Sequence, residues 1–393
     1  MKKVGYVLTA FPVLSETFVG TEIRAMEQLG HSVVPIAFEP SSEPVQNKDL
    51  RFLDETYYVS DIGLIDVLAN CPLKLGQLKD AIGFSKKQTS VRFRSLMWQA
   101  LKVAAIAKKQ GCQHLHAHFA LSSAATAIVA AKLLNISVSF VGHGFDVYVE
   151  PYDLALKLES ADFVIAVCNQ MKQDFERLGK ANSVKLMHCG IDLNAFPLTN
   201  SQAFVNRLLF VGRLVDKKGI HYLLQALSLM DRTSLPQIDI VGDGPLRKQL
   251  EQEIERRGLN ECVHLLGSKD ADWLKANAGE YGGLVAPFCE ATNGDKDTGP
   301  LVIKEAMALG LPVISTDFMG VKEIIDEHTG WKVEASNSIE LAEAMTQWQL
   351  LDTETRKSMI VAARQRVERL FTSAETTKIL SNAINQVSYE LSH

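Results

Sequence analysis

The chain has 393 residues, 47% of them hydrophobic, enough for roughly two to three domains with substantial cores. Its 41 Lys and Arg against 46 Asp and Glu leave a formal net charge of −5, which excludes a dedicated nucleic-acid binder with a strongly basic face, and its Pro and Gly are too few for a low-complexity chain. The six cysteines (Cys71, Cys112, Cys168, Cys189, Cys262, Cys289) are dispersed with no CxxC pair, which fits reduced thiols in a cytoplasmic protein better than a disulfide framework or a zinc site.

Lys2-Lys3 followed by the apolar run Val4 to Leu14 imitates a signal peptide. Pro12 interrupts that run, and Ser15-Glu16-Thr17 stands where a small-residue cleavage site would be, so a first buried strand is the better reading. No stretch reaches the ~20 apolar residues that span a bilayer, and the expectation is a soluble or at most peripheral protein.

Strands are expected at Val4–Thr9, Ser32–Phe38, His114–His118, Val138–Gly142 and Phe163–Val167, with helices at Glu16–Leu29 and Ser122–Leu134. The pattern then restarts, with strands at Arg207–Val211, Gln237–Val241, Val263–Leu266, Leu284–Pro287 and Pro312–Ser315. Helices are expected at Ile220–Met230, Leu246–Arg257 and Leu301–Leu309. This alternation predicts two α/β domains with parallel sheets, joined by a linker at Asp192–Asn206 and followed by three helical stretches over Glu354–Ser392. Two such sheets imply a cleft where the carboxyl ends of their strands meet, the end at which open α/β sheets bind ligands. No short internal repeat is present, which excludes a solenoid.

The segment Pro72–Gln110 departs from the acidic whole, with nine basic residues against the single acid Asp80. Leu73, Leu75, Leu78, Ile82, Phe84, Phe93, Leu96, Met97 and Trp98 are interleaved with them. A basic amphipathic stretch of this kind can lie on an anionic membrane surface, and a solvated helix pair explains it equally well.

The second domain carries the most chemistry. Phe210-Val211-Gly212-Arg213-Leu214 leaves a strand and Lys217-Lys218-Gly219 opens the next helix, so Arg213 and Lys218 can both face an anion near a helix N-terminus. Val241-Gly242-Asp243-Gly244-Pro245 is a second glycine-rich turn, without the third glycine of a dinucleotide fingerprint. In Asp297-Thr298-Gly299-Pro300, Thr298 or Gly299 can cap the helix that begins near Leu301 and Pro300 suits its first position. The amides of that turn can hold a phosphate or a sugar hydroxyl, and Glu305, a turn further in, can accept two hydrogen bonds from a diol such as ribose. In the first domain His143 stands between Gly142 and Gly144 after a strand. Small neighbours there let a ligand approach, so His143 is a candidate polar contact or acid/base group, with a structural histidine as the alternative.

Three other signals receive the plainer reading. His114, His116 and His118 put three imidazoles on one strand face, but no acidic or sulfur ligand lies near them in the chain, and no metal is expected. Asp270-Ala271-Asp272 and Asp295-Lys296-Asp297 match a DxD manganese motif that arises easily by chance. A Ser-His-Asp hydrolase is excluded by the absence of a G-x-S-x-G elbow.

With these residues in hand, the chain resembles a family 4 retaining glycosyltransferase of the GT-B type, two Rossmann-like doubly wound parallel-sheet domains facing a central cleft. VGRLVDKKG (Val211–Gly219), VGDGPLR (Val241–Arg247) and Asp297–Ala308, ending in EAMA, carry the likeness. FPVLSETFV (Phe11–Val19), LHAHFA (Leu115–Ala120) and GHGFDV (Gly142–Val147) are similar to the exopolysaccharide subgroup that includes colanic-acid-type transferases.

The resemblance implies an acceptor-binding domain over 1–198, a donor-binding domain over 199–370 and a last helix, 371–393, crossing back to the first. It implies that Arg213 and Lys218, beside Gly212, neutralise a donor diphosphate and that Glu305 holds the ribose. The turn Thr298, Gly299, Pro300, Leu301 and Val302 would hold the sugar and phosphate. Asp297 occupies the place of the first acid of an E-x7-E motif, one methylene shorter than the usual Glu. His143 falls beside the reacting face of the sugar, and Ser15, Glu16 and Thr17 form an acceptor or phosphate loop. No cofactor or metal is implied, the UDP- or GDP-sugar being a substrate.

The expected activity is retaining transfer of a hexose to a lipid-linked saccharide in surface polysaccharide assembly, on the cytoplasmic side and with 72–110 as the membrane contact. A GT-B epimerase or phosphorylase, and a non-catalytic nucleotide-sugar-binding subunit, are the alternatives.

Overall fold

The structure, a computed structural model, describes residues 1–42, 45–71, 74–179, 183–199 and 204–390. Pro72 and Leu73 of the basic segment, 200–203 of the linker and 391–393 of the tail lie outside the described residues. The chain divides into two units, Met1–Gly190 with Ser373–His393, and Ile191–Thr372.

The first unit is built on a seven-stranded parallel sheet. Its strands are β1 (Lys3–Ala10), β2 (Ser32–Glu39), β3 (Tyr57–Tyr58), β4 (His114–His118), β5 (Ser137–Val141), β6 (Phe163–Ala166) and β7 (Val184–Leu186), in the order β3-β2-β1-β4-β5-β6-β7. Every residue of β4, β5 and β6 is buried, as expected where helices cover both faces of a parallel sheet. In β4 this puts Leu115 and Ala117 on one face and the three histidines on the other. Register brings Tyr6 of β1 beside His116, with Ser137 and Ser139 of β5 beside His114 and His116, so a polar stripe crosses the sheet. The helix Thr17–Gln28 and the last helix, Ser373–Glu390, pack against each other in this unit, where His31 Nε2 lies 2.8 Å from Ser381 Oγ across 350 residues of chain.

The second unit has a six-stranded parallel sheet of β8 (Arg207–Val211), β9 (Gln237–Val241), β10 (Val263–Gly267), β11 (Gly283–Ala286), β12 (Val313–Thr316) and β13 (Gly330–Val333), in the order β10-β9-β8-β11-β12-β13. Alternation along β8 sends Leu209 into the core on one side of the sheet and Leu208 and Phe210 into the core on the other. Both sheets reverse direction of growth beside their first strand, the doubly wound arrangement that opens a crevice at the carboxyl strand ends. The two ends of this unit lie together, Ile191 pairing with Thr372 and its N–H donating to Phe371 O at 2.9 Å.

Two expectations are corrected. The tail is two eighteen-residue helices among the described residues, Thr353–Leu370 and Ser373–Glu390, and not the three stretches expected, the chain breaking once, at Phe371-Thr372. Pro300 is the N-cap of the helix Leu301–Leu309, not its first residue, and no side chain caps that end. Among the described residues no helix is long and apolar enough to cross a membrane.

Candidate active site

In the second unit the site residues follow from two strand-to-helix turns. Gly219 sits at φ 65°, and a Cβ there would come within 1.9 Å of Pro287 O, so only glycine lets the turn after β8 pass beneath β11. Gly242, at φ 143°, faces Gly212 O equally closely. These contacts hold the Gly212–Lys218 loop in one shape. Arg213 is exposed, and its guanidinium has no ion pair among the described residues. Lys218 Nζ donates to Asp297 Oδ2 at 2.7 Å and lies 4.9 Å from the centre of the Phe288 ring. Next to it Lys217 pairs with Asp295 at 2.9 Å.

Burial alone would raise the Asp297 pKa, but Lys218, Lys217 and the Gly299 N–H hold it below the usual carboxylate value. Asp297 is therefore an anion tying Lys218 to the turn that precedes the helix Leu301–Leu309. Thr298 is buried, Gly299 donates to Asp297, and Leu301 and Val302 open the uncapped helix end. Its first N–H groups have no intrahelical acceptor and carry the positive end of the helix dipole. Glu305 is half-buried a turn further in. The structure thus brings Gly212, Lys218, Asp297, Thr298 and Gly299 together. The two DxD motifs serve other ends, Asp270 capping a helix through Trp273 N at 2.8 Å and Asp295 and Asp297 pairing with lysines.

In the first unit His143 is 9% exposed and held on all sides. Its N–H donates to Asp146 Oδ1 at 2.9 Å, and its Nε2 lies 3.4 Å from His118 Nδ1. The rings of Phe18 and Phe119 sit 4.6 and 4.5 Å from it, centre to centre. Burial raises the Asp146 pKa to about 6, against the Ala120 and His143 N–H groups and Lys157, which lower it. Gly142 does not serve ligand approach as the sequence implied, since a Cβ there would meet Phe175 Cζ at 2.6 Å and Val147 Cγ2 at 2.9 Å, both core side chains.

A cavity of about 480 Å³ opens at the carboxyl ends of β1 and β2, lined by Thr9, Ser15, Glu16, Glu39, Phe119 and Phe145 among others. Ser15 and Glu16 thus line a real hollow, while Thr17 begins the helix beside it. Sequence reasoning missed Phe119, which adopts φ 68° directly after β4, a costly conformation for a bulky residue and one that concentrates at functional sites. It also missed Asp146, whose carboxylate fixes the His143 backbone, and Glu22, described below.

Residues 15–195 match the family model described as Glycosyltransferase Family 4, and residues 199–366 match the model described as Glycosyl transferases group 1. The chain is a family 4 glycosyltransferase. The transferase is 24% identical to a protein of Escherichia coli (strain K12), WcaL, provisionally assigned as a colanic acid biosynthesis glycosyltransferase, over 97% of this chain and 99% of that one. It is 26% identical to the amylovoran biosynthesis glycosyltransferase AmsK of Erwinia amylovora, over 94% and 96%. The crystal structure of Anabaena Alr3699/HepE with UDP and glucose superposes with a TM-score of 0.73 at 17% identity, covering 98% of this chain and 100% of that one. The transferase has the GT-B fold and belongs among exopolysaccharide-type glycosyltransferases, which take a nucleotide-sugar donor and a saccharide acceptor.

Proposed function

We propose that the protein is a retaining hexosyltransferase that moves a sugar from a UDP- or GDP-sugar to a lipid-linked saccharide during cytoplasmic assembly of a surface polysaccharide. One observation carries the reading. The Lys218–Asp297 pair sits at the mouth of an uncapped helix N-terminus, with the exposed Arg213 five residues before Lys218 and Glu305 a turn inside the helix. Two cations and a set of free amides are what a diphosphate selects. The likeness to a protein crystallised with UDP and glucose supports a nucleoside diphosphate hexose as donor.

The chemistry then follows from charge. As the bond from the anomeric carbon to the diphosphate breaks, its electron pair stays on the phosphate oxygen. Arg213, Lys218 and the amides of Gly299 to Val302 stabilise that charge as preorganised dipoles. The acceptor hydroxyl forms its bond on the same face and passes its proton to the departing phosphate oxygen. Glu305 holds the ribose diol, Asp297 orients the sugar, and His143, immobilised by Asp146, Phe18 and Phe119, supplies a fixed polar contact at the reacting face. Ser15 to Thr17, at the 480 Å³ cavity, take the acceptor or phosphate.

A lipid-linked acceptor is supported by the surface of the first unit. Leu64, Ile65 and Leu68 share one face of the helix Leu64–Asn70 and are 60%, 83% and 71% exposed. The next helix, Leu75–Lys87, begins with the exposed Leu75; Lys74 at its N-cap, Lys79, Lys86 and Lys87 along it, and Arg92 and Arg94 at the start of the helix Phe93–Gln110 are also exposed. Exposed apolar side chains together with exposed cations suit an anionic lipid surface.

Glu305→Ala tests the site. Turnover of nucleotide sugar should fall to background while the melting temperature holds; undiminished turnover would remove Glu305 from the site.

A further inference from the structure

His114, His116 and His118 have no acidic partner near them in the chain, yet the fold brings one from the helix Thr17–Gln28. Glu22 Oε1 lies 3.6 Å from His116 Nε2 and 3.3 Å from His118 Nε2, and the three ligand atoms all lie within 4.8 Å of one another. We propose that Glu22, His116 and His118 form a binding site for a divalent transition metal ion, with zinc as the best-fitting metal.

The spacing is the first argument. Of these separations, 3.3 Å is at the long end for a hydrogen bond and 3.6 Å is beyond it. They match the edges of a tetrahedron around zinc, about 3.3–3.5 Å when each ligand stands ~2.0–2.1 Å from the ion. The His116 and His118 ring centres are 5.3 Å apart with the rings at 85°, close to the ~5 Å expected for two imidazoles at a tetrahedral angle.

The second argument is an unmet polar atom. His116 is fully buried, and its Nε2 has no hydrogen-bond partner among the described residues, while its Nδ1 is engaged with Ser139 Oγ at 2.7 Å. The serine chain fixes the rings consistently. If His116 Nδ1–H donates to Ser139, the Ser139 hydroxyl is free to donate to His114 Nε2, and His114 Nδ1–H to Ser137, each at 2.7 Å. With that tautomer His116 Nε2 presents a lone pair towards the Glu22 carboxylate, and a cation between them would satisfy both acceptors.

Outer partners that orient such ligands are also present, Tyr6 OH donating to Glu22 Oε1 at 2.9 Å and His118 Nδ1 lying 3.4 Å from His143 Nε2. Two imidazoles and one carboxylate favour zinc or its first-row neighbours over magnesium or calcium.

The site lies wholly within the first unit and does not depend on the donor-site reading, so metal content and sugar transfer fail separately. The test uses the full chain, purified without a polyhistidine tag or chelator, assayed for metal by mass spectrometry, then stripped and titrated with zinc alone and with magnesium alone. About one zinc per chain is expected, with no magnesium. His116→Gln and Glu22→Gln should each lower zinc affinity at least tenfold, and His328→Ala, which removes an exposed imidazole, should leave it unchanged. Far-UV circular dichroism checks that the variants fold. If they do not, cobalt(II) added to the stripped wild type decides, since a tetrahedral site gives intense visible bands. A folded wild-type chain that takes up no zinc, zinc that survives both substitutions in folded protein, or cobalt without tetrahedral bands would each overturn the proposal.

Discussion

Asp297→Asn should make the protein bind nucleoside diphosphate more tightly while it transfers sugar more slowly. Without nucleotide, the Lys218 ammonium is committed to Asp297 at 2.7 Å, both side chains about 15% exposed. At that distance and an effective dielectric of ~20 the gross attraction is about 6 kcal/mol, most of it cancelled by the solvation each charge has lost. A hydrogen bond to a charged group retains about 1.5–3 kcal/mol net, and a neutral amide in its place about 0.5–1.5. The difference, on the order of 1–1.5 kcal/mol, is the hold that a diphosphate must overcome to recruit Lys218, and releasing it is worth roughly five- to tenfold in Kd. Titration calorimetry with UDP and GDP near neutral pH reads this directly, and Lys218→Met should weaken binding both in the wild type and when combined with Asp297→Asn. An affinity unchanged within twofold or weakened in Asp297→Asn would show that Lys218 never leaves its carboxylate for the ligand.

The same pair fixes a pH dependence. Because the folded Asp297 pKa is depressed, its contribution to stability is present above the unfolded carboxylate value and is lost as pH falls through the folded one. The melting temperatures of wild type and Asp297→Asn should therefore differ most near neutrality and converge in strong acid; a gap that widened on acidification would contradict the assignment. Gly219→Ala combines a left-handed φ with a backbone collision at 1.9 Å and should lower the melting temperature by on the order of 5–10 °C, whereas Gly258→Ala, at φ 63° with nothing within 4 Å, should cost only about 1 kcal/mol, or roughly 2–4 °C. Equal losses in differential scanning calorimetry would mean that the close approach is not what requires glycine at 219. Replacing Leu64, Ile65 and Leu68 together by serine should abolish co-sedimentation with phosphatidylglycerol vesicles and leave melting almost unchanged, since all three are exposed. A variant that pellets like the wild type would take the patch out of the membrane contact.

Ten of the thirteen strands among the described residues were legible in the sequence because buried parallel strands are short apolar runs that end at turn residues, as Arg207–Val211 and Gln237–Val241 do, whereas Val184–Leu186, Gly330–Val333 and the helix Ser338–Leu350 were not. Residues 46–70 were not, because short elements such as Tyr57–Tyr58 and Phe52–Glu55 carry too few positions to show a period. The strand-to-helix turns that hold Gly212, Lys218 and Gly299 were legible as turns, since glycine, proline and charged residues cluster where the apolar runs stop. The Lys218–Asp297 contact was not, because it joins positions 79 residues apart through the adjacency of β8 and β11. Glu22 escaped for the same reason, lying on a helix face 94 residues from His116 and brought to it only by the pairing of β1 with β4. Gly142 misled, since a glycine that spares a phenylalanine ring reads the same as one that admits a ligand.

The return of Ser373–Glu390 to the first unit sets an order of assembly on the ribosome. The Ile191–Thr372 unit is continuous in sequence and its ends already adjoin, so it can close as soon as it emerges. The first unit begins earlier but waits for the helix Ser373–Glu390, with the surface that receives Ser381 beside His31 uncovered until that helix has emerged. A nascent chain stalled near residue 372 would therefore hold a finished Ile191–Thr372 unit and an unfinished first unit, and a lesion within Ser373–Glu390 would be felt in the unit that begins at Met1.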